Sequence, residues 1–364
     1  MKILYVTTVG STMTFFIQQF KHLMQQGHVI ELACSDTLDY ENDIAELGLK
    51  RYIVPFSRNP LSTNNMRAYL ELRDIVATNK YDIVHCHTPN ASAITRLACK
   101  DMRNKGTRVI YTAHGFHFFK GAPKRNWVLY YPVEWICAHF TDVLITINVE
   151  DYEFAKKHFK AKSVRYVPGV GVDIENFERV NITKSEKREE LNIPESATVL
   201  LSIGELNDNK NHETVIRAIP DLNVYYLIAG QGSNSEKLKM IAKNFGISDK
   251  LRLLGFRTDI AELLMASDIF VFPSYREGLS VSLMEAMARG LPVAVSRIRG
   301  NVDLIDERGG ELFDPHSVGE CKRAIRKVLE DDRELMGDYN RRKIQKFSTN
   351  VVLEIMDKIY GECY

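Results

Sequence analysis

The chain has 364 residues, 45% of them hydrophobic and 26% charged. That is the composition of a soluble globular protein, and the length is too great for one ordinary open core, so two α/β domains are expected. With 48 Lys and Arg against 47 Asp and Glu, the net charge of +1 gives no whole-chain field to draw in nucleic acid.

Residues 1–6, Met1-Lys2-Ile3-Leu4-Tyr5-Val6, form a short β-branched run that leads into Thr7-Thr8-Val9-Gly10 and predicts a first strand rather than a signal peptide. A helical pattern over 14–26 ends at Gly27. Strands are predicted at 29–34 and 51–54 with a helix near 40–47 between them. A long amphipathic stretch, 65–78, precedes a strand at 83–86. Helix 91–105, strand 108–112, helix 127–140, strand 143–147, helix 150–159 and strand 164–167 complete the first half. The 127–140 stretch is the most apolar, but Pro132 and Glu134 interrupt it and it falls short of the about 20 residues a membrane span requires. Residues 168–195 break the pattern with glycines, a charged run and Pro194, and read as the linker and entry to a second domain. Strands at 198–203, 224–229, 251–254, 269–272 and 293–295 then alternate with helices at 213–219, 236–245, 260–266, 281–289 and 318–330. This alternation predicts two parallel, doubly wound sheets. The expected domains are 1–178 and 179–346, with a last helix over 347–364 crossing back onto the first. In such proteins ligands sit at the carboxyl ends of the strands.

The six cysteines (Cys34, Cys86, Cys99, Cys137, Cys321, Cys363) hold no C-x-x-C pair, which argues against a zinc site and a disulfide framework and for a reducing compartment. Between Arg96 and Arg125 the basic residues Arg96, Lys100, Arg103, Lys105, Arg108, Lys120, Lys124 and Arg125 meet one acid, Asp101. Such a patch suits a phosphate-bearing or membrane-surface partner, or is a solvated helix face.

After the strand at 269–272 come Pro273, then Glu277-Gly278-Leu279-Ser280, then a helix carrying Glu285. The amides of Gly278, Leu279 and Ser280 at a helix N-terminus favour phosphate or sugar oxygens, and two carboxylates accept hydrogen bonds from hydroxyls. Ser282-x-x-Glu285 also reads as a capping box, the favoured reading for Glu285 taken alone. Lys210, on the loop Gly204-Glu205-Leu206-Asn207-Asp208-Asn209-Lys210 after strand 198–203, is a natural counter-charge for a diphosphate, or a surface lysine. Gly230-Gln231-Gly232 is a fragment of a phosphate loop or a plain turn. His114-Gly115-Phe116-His117 follows strand 108–112 and faces the strand ends.

Together these segments resemble the family-4 retaining glycosyltransferases of the GT-B fold, two Rossmann-like parallel-sheet domains facing across a cleft. Glu277 and Glu285 match that family's pair of acids with seven residues between them, Gly204 and Lys210 its lysine loop, His114-Gly115 its first-domain motif, and Gly10 its first glycine loop. The matches are collinear and span the chain. The segments around His114, Gly204 and Arg299-Gly300-Asn301 further resemble a bacterial subgroup, the CapM, EpsD and PglA-like enzymes, which builds capsules, exopolysaccharide or protein N-glycans.

The resemblance implies a hexosyltransferase that moves a sugar, often an N-acetylhexosamine, from a UDP-sugar to a saccharide on undecaprenyl diphosphate. It implies retention, no metal and no cofactor beyond the donor itself. Glu277 and His114 would act on the donor sugar and Glu285 on the ribose. Lys210 and the 278–280 amides would neutralise the diphosphate, with Gly10 close by, and Phe256 and Arg257 would meet the base. The family usually places Arg where Glu205 stands, so Arg257 or Arg276 is expected to supply the missing cation. A lipid-linked acceptor would give Arg103, Lys105, Lys120, Lys124 and Arg125 a membrane-surface role, with His117 near the acceptor and Phe118, Phe119, Trp127 and Tyr130 in the interface. The expected location is cytoplasmic, peripheral on the inner face of a bacterial membrane. A UDP-sugar epimerase of the same fold and a non-catalytic sugar-nucleotide sensor are the rival readings. A nicotinamide dehydrogenase is excluded because no G-x-G-x-x-G follows a strand.

Overall fold

The computed structural model describes residues 1–35 and 42–363, so part of the helix expected near 40–47 lies outside the described residues. Two compact units result. One comprises Met1–Val170 together with Asn350–Tyr364, the other Gly171–Thr349.

The first unit is built on seven parallel strands: β1 (Lys2–Val6), β2 (Val29–Cys34), β3 (Lys50–Ile53), β4 (Ile83–His87), β5 (Arg108–Ala113), β6 (Val143–Thr146) and β7 (Ser163–Tyr166), ordered β3-β2-β1-β4-β5-β6-β7. Residues 3–6 of β1 are fully buried, as a parallel strand covered on both faces requires, which is why this run does not alternate. Chain direction across the sheet reverses between β1 and β4, and their register sets Val6 beside Cys86.

The second unit has six parallel strands: β8 (Thr198–Ile203), β9 (Val224–Ala229), β10 (Leu251–Gly255), β11 (Ile269–Phe272), β12 (Val293–Ser296) and β13 (Gly310–Phe313), ordered β10-β9-β8-β11-β12-β13. Its reversal lies between β8 and β11. The sequence reading missed β13, a four-residue strand opened by glycine. That glycine is needed: a Cβ on Gly310 would sit 2.2 Å from the Val293 carbonyl oxygen of β12.

Residues 168–195 are not a linker. Thr183 and Glu186 form a complete capping box on the helix Lys184–Glu190. Lys187 of that helix is buried and bridges Glu190 and Glu262 at 2.7 Å each. Arg188 pairs with Asp268 at 2.8 Å. Phe177 is buried as well, and its carbonyl accepts from Arg289. The boundary therefore falls at 170/171 rather than 178/179. There Val172 donates to the Phe347 carbonyl and Thr349 donates back to Val172, at 3.0 Å each. A Cβ on Gly171, whose φ is +83°, would lie 2.6 Å from Thr349 Cα, so only glycine fits this crossing.

The terminal helix, Thr349–Cys363, buries Val352, Met356, Ile359 and Tyr360 in the core of the first unit. The Tyr360 hydroxyl lies 2.5 Å from that of Tyr5 and 2.7 Å from His85 Nδ1. Among the described residues no helix is long and apolar enough to cross a membrane.

Candidate active site

In open α/β sheets the ligand crevice lies beyond the carboxyl ends of the strands where strand order reverses. In the second unit this is the space after β8 and β11, and two of the expected residues meet there. Lys210 Nζ contacts Glu277 Oε1 at 2.8 Å, with both side chains about one fifth exposed. The ammonium also stands 4.9 Å over the Phe272 ring. Their loops are laced together: Asn209 Nδ2 donates to the Arg276 carbonyl at 3.0 Å, and the Tyr275 amide donates to the Asn209 carbonyl at 2.8 Å.

Glycines make this lacing possible. The lysine stem lies over Gly204, where a Cβ would be 3.0 Å from Lys210 Cε. Behind it, a Cβ on Gly230 would be 1.9 Å from the Gly204 carbonyl oxygen, and one on Gly232 would be 2.5 Å from that of Leu206. Gly230-Gln231-Gly232 is thus more than a plain turn: it is the close-packed support of the lysine loop, and the Gln231 carbonyl accepts from the Leu206 amide at 3.1 Å. Gly230→Ala is expected to lower stability by at least about 2 kcal/mol and to weaken diphosphate binding through Lys210. Thermal melts with and without UDP check both effects.

The glutamate loop has a similar support. A Cβ on Gly300, φ +78°, would lie 2.1 Å from the Gly278 carbonyl oxygen. The neighbouring Arg299 is buried and donates through Nε to the Glu277 carbonyl at 3.2 Å. Arg299 thus positions the loop, a duty its place in a motif does not disclose.

Glu285 is not a capping residue. The N-cap of the helix Val281–Arg289 is Ser280, whose hydroxyl accepts from the Leu283 amide. Ser282 Oγ instead approaches the Ser280 hydroxyl and the Ile203 carbonyl. Glu285 has no hydrogen-bond partner among the described residues, and burial raises its carboxyl to about 7. A raised acid holds its proton longer in the folded than in the unfolded state, so its contribution falls as pH rises from about 4.5 to 7 and stays low above that. Glu285→Gln is expected to stabilise the second unit by about 2 kcal/mol at pH 8 and hardly at all at pH 4.5. Melting curves at the two pH values test the sign.

Phe256 stands 72% exposed just beyond β10. Arg257 is engaged with carboxylates: its Nε donates to Asp259 Oδ1 at 2.7 Å and its Nη2 bridges Glu190 at 3.0 Å. Arg276 is exposed and remains the candidate for the missing cation.

In the first unit the reversal between β1 and β4 holds a pocket of about 270 Å³ lined by Thr8, Val9, Thr12, Arg58, Thr88, Pro89, Asn90, His117 and Tyr130. Gly10 is buried at the start of the 3-10 turn Gly10–Phe16 beside it. Thr88 is β-branched yet has φ +65°, and its hydroxyl lies 2.7 Å from that of Thr8 and 2.9 Å from the Thr8 amide. Backbone strain of this kind persists where the surroundings over-determine it, typically at functional sites.

His114 Nε2 lies 3.1 Å from His87 Nδ1, and the His87 ring stacks on that of Tyr5 and lies tilted against those of His85 and Phe16. Burial pushes His114 down to about 4; burial and the charge of His114 push His85 down to about 3; and burial drives His87 well below its usual value. All three are neutral near pH 7. His87 Nε2 is buried without a partner. An orphaned N–H costs more than an orphaned lone pair, so His87 donates through Nδ1 to His114.

The basic patch divides. Arg96 is buried against Glu134 at 2.9 Å, and Arg103 is committed to Asp142 and the His139 carbonyl. Lys105, Lys120, Lys124 and Arg125 are exposed. Phe118 and Trp127 are not at an interface: Phe118 is 2% exposed and Trp127 packs on it within an aromatic core with Tyr131 and Phe154. The exposed apolar residues of the helix Lys124–Ala138 are instead Val128, Leu129, Val133, Trp135 and Ile136. Among the described residues no three His, Cys, Asp or Glu side chains group closely enough to hold a metal ion.

Residues 183–346 match the model of the glycosyl transferases group 1, and residues 2–148 match glycosyl transferase 4-like. The chain is 36% identical to the putative glycosyltransferase EpsD of Bacillus subtilis, covering 99% of this chain and 96% of that one. It is 30% identical to the UDP-Gal:alpha-D-GlcNAc-diphosphoundecaprenol alpha-1,3-galactosyltransferase of Escherichia coli, over 86% of this chain and 84% of that one. The fold matches Anabaena Alr3699/HepE, crystallised with UDP, at a TM-score of 0.84 and 18% identity over the whole of both chains.

Proposed function

The chain belongs to the group 1 glycosyltransferases, and from that premise we propose that it moves a sugar from a UDP-sugar to a saccharide on undecaprenyl diphosphate, with retention and without a resident metal or cofactor, in bacterial polysaccharide or glycan assembly. The observation that carries this reading is the Lys210–Glu277 pair at the strand reversal of the second unit.

A diphosphate there meets the Lys210 ammonium, the positive helix end at Gly278, Leu279 and Ser280, and Arg276. Glu277 accepts hydroxyls of the sugar, Glu285 those of the ribose, and Phe256 offers a face to the base. On the first unit His114 is assigned a sugar hydroxyl. As the bond from C1 to the leaving phosphate oxygen breaks, its electron pair leaves with UDP and positive charge grows at C1. Glu277 stabilises that charge and Lys210 the leaving oxygens. The acceptor hydroxyl bonds to C1 on the face UDP vacates, and its proton passes to the leaving phosphate.

The Escherichia coli relative is named for a UDP-sugar, a diphosphoundecaprenol acceptor and an alpha-1,3 linkage, which supports this substrate class and retention. The proposed location is the inner face of the bacterial membrane, where such an acceptor resides.

A panel of UDP- and GDP-sugars offered with undecaprenyl-diphosphate-linked N-acetylhexosamine, read by product mass, tests the proposal. A single UDP-sugar is expected to add one hexose or N-acetylhexosamine. Epimerised UDP-sugar with no transfer, or UDP binding with no product, would overturn it.

A further inference from the structure

The pocket at the β1/β4 reversal does not stand alone. Its residues Pro89, Asn90 and Tyr130 also line a second hollow of about 440 Å³. The remaining walls of that hollow are mainly apolar: Leu61, Ala93, Ile94, Leu129 and Val133. They come from the turn before the helix Asn64–Asn79, from the helix Pro89–Ala98 and from the helix Lys124–Ala138.

Several of these side chains face water. Leu61 is 90% exposed, Leu129 62% and Val133 44%. Single exposed leucines mean little, but apolar residues gathered around one concave site mark a binding surface. The one carboxylate in the wall, Glu134, is already satisfied: Arg96 bridges it at 2.9 Å and the Tyr111 hydroxyl donates to it at 3.0 Å. The hollow therefore offers hydrocarbon contact and no free charge.

The smaller pocket next to it is mixed in character. Threonine hydroxyls line it, and Arg58 is exposed there with no side-chain partner among the described residues. Tyr130 forms the saddle between the two hollows, its ring tilted against that of His117 with centroids 4.6 Å apart. A mixed, cationic pocket thus continues into an apolar one across a single side chain.

We propose that the apolar hollow takes the first isoprene units of a polyprenyl diphosphate, with the diphosphate lying towards Arg58. This rests on the reading that the acceptor is a lipid diphosphate. It assigns the lipid a bound site, distinct from contact with a bilayer surface. The volume falls within the roughly 300–1,000 Å³ of small-molecule sites, so it holds only the start of the chain. The exposed Val128, Trp135 and Ile136 continue the apolar surface along the same helix.

The test titrates farnesyl diphosphate and inorganic diphosphate into the full chain with UDP saturating, so that the second unit's anion site is filled. Farnesyl diphosphate is expected to bind at least about tenfold tighter. Leu129→Asp and Leu61→Asp alter exposed residues, so the fold is retained. Each is expected to cut farnesyl affinity by roughly tenfold and to leave inorganic diphosphate affinity unchanged. Arg58→Gln should weaken both ligands. Equal affinity of the wild type for the two ligands, or farnesyl affinity within twofold of wild type in both Asp variants, would overturn the prenyl site. If those variants instead lose only co-sedimentation with anionic vesicles, the helix face is a bilayer contact and the proposal fails. Absence of transfer to any lipid-linked saccharide in the donor panel overturns the proposed activity separately.

Discussion

Glu277→Gln is expected to lower kcat for sugar transfer by about 100- to 1,000-fold while UDP affinity stays within about threefold. The substitution keeps the shape of the side chain and removes its charge. In the native protein that charge serves two partners in turn. Without ligand it faces the Lys210 ammonium at 2.8 Å. In the proposed transition state it faces the positive charge at C1, and Lys210 turns to the departing diphosphate. The neutral amide fails in the second role alone, because Lys210, freed of its partner, still meets phosphate. Binding and chemistry should therefore separate, a split that a general loss of structure would not give. Single-turnover transfer and UDP calorimetry on the same preparation measure both. Turnover within tenfold of wild type would remove Glu277 from the chemistry.

Acid is expected to unfold the first unit well before the second. His85, His87 and His114 are buried and neutral in the folded first unit. In the unfolded chain each titrates near 6.5, so below that pH the unfolded state binds more protons and stability falls as pH falls. At pH 5 each costs roughly 2 kcal/mol, together a large part of the usual stability of a domain. The second unit has one such group, His212, lowered to about 4 by burial and the nearby Lys210 charge. Glu285 opposes it, since its raised carboxyl gains stability over the same descent. The two nearly cancel. Both tryptophans, Trp127 and Trp135, lie in the first unit, so fluorescence reports that unit alone. The fluorescence transition is expected near pH 5, with much of the far-ultraviolet circular dichroism lost only at lower pH. Coincident transitions below pH 4 would contradict this.

What the sequence disclosed follows from how local its signals are. Strands β1, β8 and β11 are short, largely apolar runs, and loops at their ends carry Gly10, Lys210 and Glu277, so the alternation alone places these residues at strand ends. The Lys210–Glu277 contact joins loops 67 residues apart and required the strand order, which no local pattern states. Glu285 was misjudged because two serines two residues apart both suit a cap, and only the backbone shows that Ser280 fills it. Arg257 looked available since one of its partners, Glu190, lies 67 residues away, although Asp259 two residues on was a warning. Trp127 and Phe118 drew attention as aromatic residues in a basic stretch, yet Phe118 is buried in the loop before the helix and Trp127 packs inward on it, while the same helix exposes Val128, Leu129 and Trp135. The capping box at Thr183 was legible and would have prevented the linker assignment.

The chain leaves the first unit at Val170 and re-enters it at Asn350. During synthesis the second unit is complete as an unbroken segment before the last helix emerges. The first unit must wait, holding a nearly finished sheet whose Tyr5 and His85 still lack Tyr360. The first unit is thus completed after the second in the order of synthesis, and chaperone demand should fall on the half of the protein made first.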